Sequence, residues 1–237
     1  MHQRVGADFT ADDDRYNIVD WQFGDAHPNL YNDYEISPFF AMNLANQLGF
    51  DASALKWIYF GEPGTGSPTH TDVANSSAWL LLAQGHKKWR MIQEEGAPKL
   101  QAHNRWADLF NIDSTLFPGT SSLSGYETVQ RPGEIMWTPS RCIHAVQNLD
   151  HTIALTHNYI DLTNLDAVLS DYQPHRADTL PQFNALIEII ESGVRDLHSK
   201  NLGMYQHQLL ARLKPEILRF KAHSQLFQEA AANSRSQ

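Results

Sequence analysis

The strongest constraint on this chain is a series of short apolar runs, each cut off by turn-forming residues. Residues 56–60, 77–83, 87–92, 126–129, 134–138, 143–147 and 152–159 each read as a strand. Between them stand Gln84-Gly85-His86, Arg131-Pro132-Gly133, Pro139-Ser140 and Asn148-Leu149-Asp150, all turn signals. Strands this short, at this spacing, build a sandwich or a barrel. Residues 61–68, rich in Gly and Pro, read as a rigid loop, and 94–120 as an irregular excursion.

Helical signals flank the strand block. Ser37 as N-cap and Pro38 in the first turn open a helix carrying Phe40, Leu44 and Leu48, which Gly49 stops. At the other end Phe183, Leu186, Ile187, Ile190, Val194 and Leu197 form one apolar face, and Pro215 divides the last stretch into 203–214 and 216–232. The expected organisation is a barrel over 1–165, reached through a polar start at about 1–17, and a helical region over 166–237.

Composition narrows the function. The 237 residues suffice for one domain with a full core, alone or with a small appendage. A net charge of -9 argues against nucleic acid, whose binding needs clustered Lys and Arg. The single cysteine, Cys142, cannot form an internal disulfide and reads as a small buried hydrophobe before it reads as a catalytic thiol. The first eight residues lack an apolar leader core, and no stretch approaches a membrane span, so the expected location is the cytoplasm.

His70-Thr71-Asp72 is the sharpest local feature. At a strand edge, residues i and i+2 face the same way, so an imidazole and a carboxylate aim at one point. A histidine from a distant strand would complete a 2-His-1-carboxylate set, which leaves positions open on Fe(II). His144, inside the apolar run Ile143-His144-Ala145-Val146, is the candidate. Without a metal, the pair is a hydrogen-bonded surface contact, and His144 a core histidine bonded to a carbonyl. Lys87 opens an apolar strand after Gly85-His86. It reads as solvated at the turn, or as the partner of a dicarboxylate inside a barrel, with a hydroxyl such as Thr156 beside it.

Several motifs match a known family in order. Thr69-His70-Thr71-Asp72, Ser76-Ser77-Ala78-Trp79 and Gln84-Gly85-His86-Lys87-Lys88-Trp89 resemble the JmjC-domain oxygenases. So do Val129-Gln130-Arg131-Pro132-Gly133-Glu134-Ile135 and the run from His144 to Thr156. The similarity is greatest to the phosphatidylserine-receptor-like lysyl hydroxylase branch and covers roughly 16–160. The resemblance implies a mainly β fold: a double-stranded β-helix barrel (jelly-roll, cupin type) with a flanking N-terminal helix and C-terminal helices. It implies Fe(II) on His70, Asp72 and His144, and 2-oxoglutarate with its distal carboxylate on Lys87, near Thr156, Ser67 and Asn158. Trp79 matches a core aromatic.

The resemblance further implies a hydroxylase acting on a protein side chain, a peptide or a small molecule, and a homodimer through the C-terminal helices. With no reader domain or zinc module in the sequence, hydroxylation is expected in preference to histone demethylation. The chain departs from the pattern at Leu80, a polar position in that branch, and at Ile143, commonly Trp. The strand that supplies a cosubstrate tyrosine falls near Tyr16 and Asn17. Two other readings stay open on the residues alone: a different metal cupin, usually marked by His-x-His, and a non-catalytic barrel that binds or scaffolds.

Overall fold

A computed structural model of the chain describes residues 16–171, apart from 25, 42, 47–50 and 103–104. In chain order the strands are β1 (Asn17–Trp21), β2 (Lys56–Gly61), β3 (Gly66–His70), β4 (Ser77–Gln84), β5 (Lys87–Ile92), β6 (Gln101–Ala102), β7 (Arg105–Trp106), β8 (Gly125–Gln130), β9 (Ile135–Thr138), β10 (Ile143–Asn148) and β11 (Thr152–Tyr159). Short helices α1 (Ala97–Leu100) and α2 (Leu165–Asp171) accompany them. Two large sheets result, ordered β1-β2-β11-β4-β9 and β3-β10-β5-β8, beside a small β6–β7 pair. Neighbours pair antiparallel in β1–β2, β2–β11, β4–β9, β3–β10, β10–β5 and β5–β8. This is the double-stranded β-helix expected from the sequence.

The chain divides into two compact units, 1–40 with 53–158, and 41–52 with 159–237. The first contains both sheets as far as Asn158. Its interior cluster draws on both of them: Leu80 and Leu82 from β4, Trp89 from β5, Val146 from β10 and Ala154 from β11, with Tyr59 and Met136 packed alongside. Full burial of a large apolar side chain contributes about 1.5–3 kcal/mol. Gln130 joins the two sheets inside this cluster. Its Oε1 accepts from Trp89 Nε1, and its Nε2 donates to the carbonyls of Leu80 and Glu134, each at 2.9 Å.

The other face of β10 packs against the excursion. Ile143 and Ala145 meet Leu100, Ala107, Leu109 and Phe117. β10 is therefore covered on both sides, which is why its sequence reads as a continuous apolar run and not as an alternation. The β4–β5 turn fixes a register that depends on Gly85, whose φ is +82° and where a Cβ would lie 2.3 Å from the His151 carbonyl oxygen.

Three expectations are corrected. The loop read at 61–68 gives way to β3 from Gly66 onward. Pro68 is tolerated there because β3 lies at the edge of its sheet. The polar start already holds β1 from Asn17. The helix expected after Ser37 is a 3-10 turn, Pro38–Phe40, and residues 43–45 are not helical. Their backbone donors are taken elsewhere: Leu44 N–H by the Ile160 carbonyl, and Ala45 N–H by Asn43 Oδ1, a side chain that competes with helix formation. The amphipathic run from Phe183 to Leu197, the segments around Pro215 and any homodimer contact through them lie outside the described residues. Among the described residues no helix is long and apolar enough to cross a membrane.

Candidate metal centre

The end of β3 and the start of β10 are paired so that His70 stands directly opposite His144. Opposed residues in an antiparallel ladder share a face, and the two imidazole centroids are 4.2 Å apart. Asp72, two residues past His70, turns a carboxylate toward the same point. One ligand atom each from His70, Asp72 and His144 lie within 4.8 Å of one another.

The local backbone selects the form of both imidazoles. His70 Nδ1 is 2.7 Å from the Pro68 carbonyl oxygen, and His144 Nδ1 is 3.0 Å from that of Cys142. A carbonyl only accepts, so each Nδ1 carries the proton and donates it. In the neutral ring each Nε2 then keeps its lone pair, the arrangement a metal-binding histidine needs. Burial, and after it the neighbouring His70, push His144 below the ordinary imidazole value, against the pull of Asp72 and of the Cys142 carbonyl. His144 is thus a neutral donor at neutral pH.

Asp72 supplies the remaining evidence of fit. Its Oδ2 is buried and has no hydrogen-bond partner. An unpaired buried carboxylate oxygen costs roughly 1–3 kcal/mol or more, and a cation between it and two imidazole lone pairs would relieve that cost. The donor set of two imidazoles and one carboxylate is the one that suits a non-haem Fe(II) ion. Cys142 is not part of it. Burial, with a smaller effect of Asp72, pushes its thiol up to about 11, so it stays protonated.

The cosubstrate candidates are distributed along the interior. Alternation on β5 turns Lys87 and Trp89 inward and Lys88 and Arg90 outward, where both latter side chains meet Glu127. Lys87 is only 3% exposed, so the solvated reading does not hold. Its Nζ donates to Asn148 Oδ1 at 2.6 Å, and burial lowers its pKa to about 8. Trp89 stacks on His144, with centroids 5.9 Å apart. Thr156 is buried two residues beyond Ala154 of the interior cluster, and its hydroxyl donates to the Trp79 carbonyl at 2.9 Å. Asn158 Nδ2 donates to Ser76 Oγ at 2.9 Å. Ser67 is opposite Val146, half-buried, with a bulge between it and His70.

His70, Asp72 and His144 are thus brought to one point, and Lys87 and Thr156 face the same interior. Leu80 is buried in the apolar cluster, so this side of the barrel is lined by hydrocarbon. Tyr16 is 53% exposed, whereas Asn17 is buried and donates to the Gly66 carbonyl. Sequence reasoning marks Asn148 only as a turn residue; it is the last residue of β10 and points inward. The signal that finds it is the period of two that links 144, 146 and 148.

A family model described as JmjC domain, hydroxylase, matches residues 57–159. The chain is 30% identical over 186 residues to the arginine-specific demethylase JMJ20 of Arabidopsis thaliana, covering 66% of this chain and 39% of that protein. It is 31% identical over 160 residues to the 2-oxoglutarate and iron-dependent oxygenase JMJD4 of Mus musculus, covering 62% and 37%. It is 30% identical over 174 residues to the bifunctional arginine demethylase and lysyl-hydroxylase psr-1 of Caenorhabditis elegans, covering 66% and 43%. The chain therefore spans less than half the length of these relatives.

Proposed function

Since the chain belongs to the JmjC family through residues 57–159, we propose that it is an Fe(II)- and 2-oxoglutarate-dependent oxygenase that hydroxylates a protein or peptide side chain. The observation that carries this reading is the convergence of two Nε2 lone pairs and the unpaired Asp72 Oδ2 on one point. A non-catalytic barrel has no reason to leave a buried carboxylate oxygen unpaired, and a His-x-His cupin has no use for the buried Lys87.

When bound there, iron and 2-oxoglutarate supply oxygen activation coupled to decarboxylation of the cosubstrate to succinate, with one oxygen atom entering a substrate C–H bond. The chain's own residues do the rest. His70, Asp72 and His144 would hold the metal and leave one side of it open. The Pro68 and Cys142 carbonyls keep both imidazoles in the ligating form. Lys87 would take the distal carboxylate as a charge-assisted pair, with Ser67 and Asn158 nearby, and the Thr156 hydroxyl would donate to it by turning away from the Trp79 carbonyl it meets in this structure. Leu80, Leu82, Trp89, Val146 and Ala154 keep water from the interior.

The test is anaerobic titration of the Fe(II)-loaded chain with 2-oxoglutarate, watched by visible charge-transfer absorption, followed by admission of oxygen and measurement of succinate. Absorption and succinate, both lost in His70→Ala, support the reading. Their absence from folded, iron-containing protein overturns it. Mass spectrometry of peptides bearing lysine, arginine or N-methylarginine then separates hydroxylation from loss of a methyl group, since the relatives include arginine demethylases and a lysyl-hydroxylase.

A further inference from the structure

The buried lysine does not stand alone. Asn148 is 1% exposed, and each of its polar groups is committed. Its Oδ1 accepts from Lys87 Nζ at 2.6 Å, and its Nδ2 donates to Thr65 Oγ1 at 2.9 Å. Its N–H donates to the Thr65 carbonyl and its own carbonyl accepts from Gly64 N–H, both at 2.7 Å. Thr65 is fixed in turn, its hydroxyl donating to the Glu62 carbonyl at 2.7 Å. Gly61 leaves the room this amide needs, since a Cβ there would lie 1.9 Å from Asn148 Nδ2. The amide cannot rotate without breaking both of its side-chain bonds.

Lys87 is opposite Asn148 in the ladder, as Met91 is opposite His144. The two levels are four residues apart on one strand, about 13 Å at ~3.3 Å per residue. The metal ligands therefore stand at one end of the inward face of β10 and the tethered ammonium at the other. A lysine side chain has four rotatable bonds, and a free one would place its charge over several ångströms. Tethered, it offers its remaining N–H donors from one place.

We propose that Asn148 is a positioning residue: it fixes the Lys87 ammonium and thereby sets the length of the 2-oxo dicarboxylate that the barrel accepts. This rests on the reading that Lys87 takes the distal carboxylate. Discrimination by length follows from the geometry. A dicarboxylate with one more methylene must push the ammonium off its amide or buckle, whereas one with one fewer falls short of it.

The experiment measures binding of 2-oxoglutarate, 2-oxoadipate and oxaloacetate to the Mn(II)-loaded full chain by calorimetry, without turnover. Asn148→Ser should lower the preference for 2-oxoglutarate over 2-oxoadipate at least tenfold, chiefly by weakening 2-oxoglutarate. Asn148→Asp, of nearly unchanged volume, should pair the ammonium internally and weaken all three ligands together by tenfold or more. If Asn148→Ser does not fold, Thr65→Val leaves Asn148 in place but loosens it, and should shift the preference in the same direction. A general loss of packing would lower the melting temperature without changing the ratio among ligands. Folded Asn148→Ser and Thr65→Val variants with unchanged ratios, or an Asn148→Asp variant that binds all three ligands as wild type does, overturn the proposal. Lys87→Met separates the two levels of inference: if it leaves 2-oxoglutarate affinity intact, the reading of Lys87 fails with it. If it weakens binding while Asn148→Ser and Thr65→Val keep the wild-type ratio, only the role of Asn148 fails.

Discussion

The two ends of the inward face of β10 solve opposite problems. At His144 the chain leaves polar atoms open: two Nε2 lone pairs and a buried carboxylate oxygen without a partner. At Asn148 every polar group of the residue is committed, and the lysine ammonium is tied to its amide. The first end is incomplete until something positive arrives, whereas the second is already built and holds one charge in place. The contrast shows how a single strand can combine an open coordination site with a rigid anchor.

The largest test of that contrast is Asp72→Ala. It should reduce metal affinity by more than the ~10–100-fold typical of losing an outer partner of a ligand, and turnover should vanish. The metal-free variant should nonetheless melt at or above the wild-type temperature, because an unpaired buried oxygen has been removed. A clear fall in the metal-free melting temperature would show that Asp72 is structurally satisfied and break the contrast.

Next is Lys87→Met, expected to weaken 2-oxoglutarate binding by about 2–5 kcal/mol, as for truncating one member of a buried charge pair. The same residue predicts a pH dependence. Its folded pKa is lowered to about 8 from 10.5, so between those values the unfolded chain holds the extra proton. Stability should therefore rise with pH through that window, by about 3 kcal/mol in all. Chemical denaturation at pH 7.5 and 10.5 should show this rise, diminished in the variant. Equal slopes for both proteins would mean that the ammonium is not buried at a cost.

A control comes from the outer face of the larger sheet, where His157 Nε2 meets the Tyr34 hydroxyl at 2.9 Å and the ring packs on Trp79. Burial, then Lys56, lowers the His157 pKa to about 3. The unfolded chain takes up a proton below about 6.5 while the folded chain does not, so stability falls as pH drops through that range. By pH 5 the loss should be roughly 2 kcal/mol, and it should shrink in His157→Gln. An unchanged acid slope in that variant would assign the loss to the metal end of the barrel instead. The smallest expected effect is that of Thr65→Val, about 1–2 kcal/mol of stability from two lost hydrogen bonds, read by urea denaturation of the metal-free chain.

The metal end is legible in the sequence because its signals are local: His70 and Asp72 are two residues apart, and His144 interrupts an apolar run. The barrel is legible for a similar reason, since each strand announces itself by a short run and a turn. The anchor is not. Asn148 sits next to Leu149-Asp150, and turn chemistry outweighs the alternation that would carry β10 one residue further. The helix after Ser37 fails for a different reason. Its period is present, but Ala45 gives its backbone donor to the Asn43 side chain, and Leu44 gives its own to Ile160, a pairing that no local pattern encodes. Pro68 hides β3, because only an edge position permits a proline there.

The two histidine contacts have a consequence for how this chain can evolve. Both Nδ1 protons go to main-chain carbonyls two residues upstream, at Pro68 and Cys142. Every amino acid brings the same carbonyl. Where another metalloprotein could lose its histidine orientation through mutation of a supporting aspartate, this one offers no such target on its imidazole side. Drift at positions 68 and 142 therefore leaves both contacts in place wherever the new side chain fits its surroundings and the strand, and the mutational vulnerability of the centre is concentrated in the three ligands themselves.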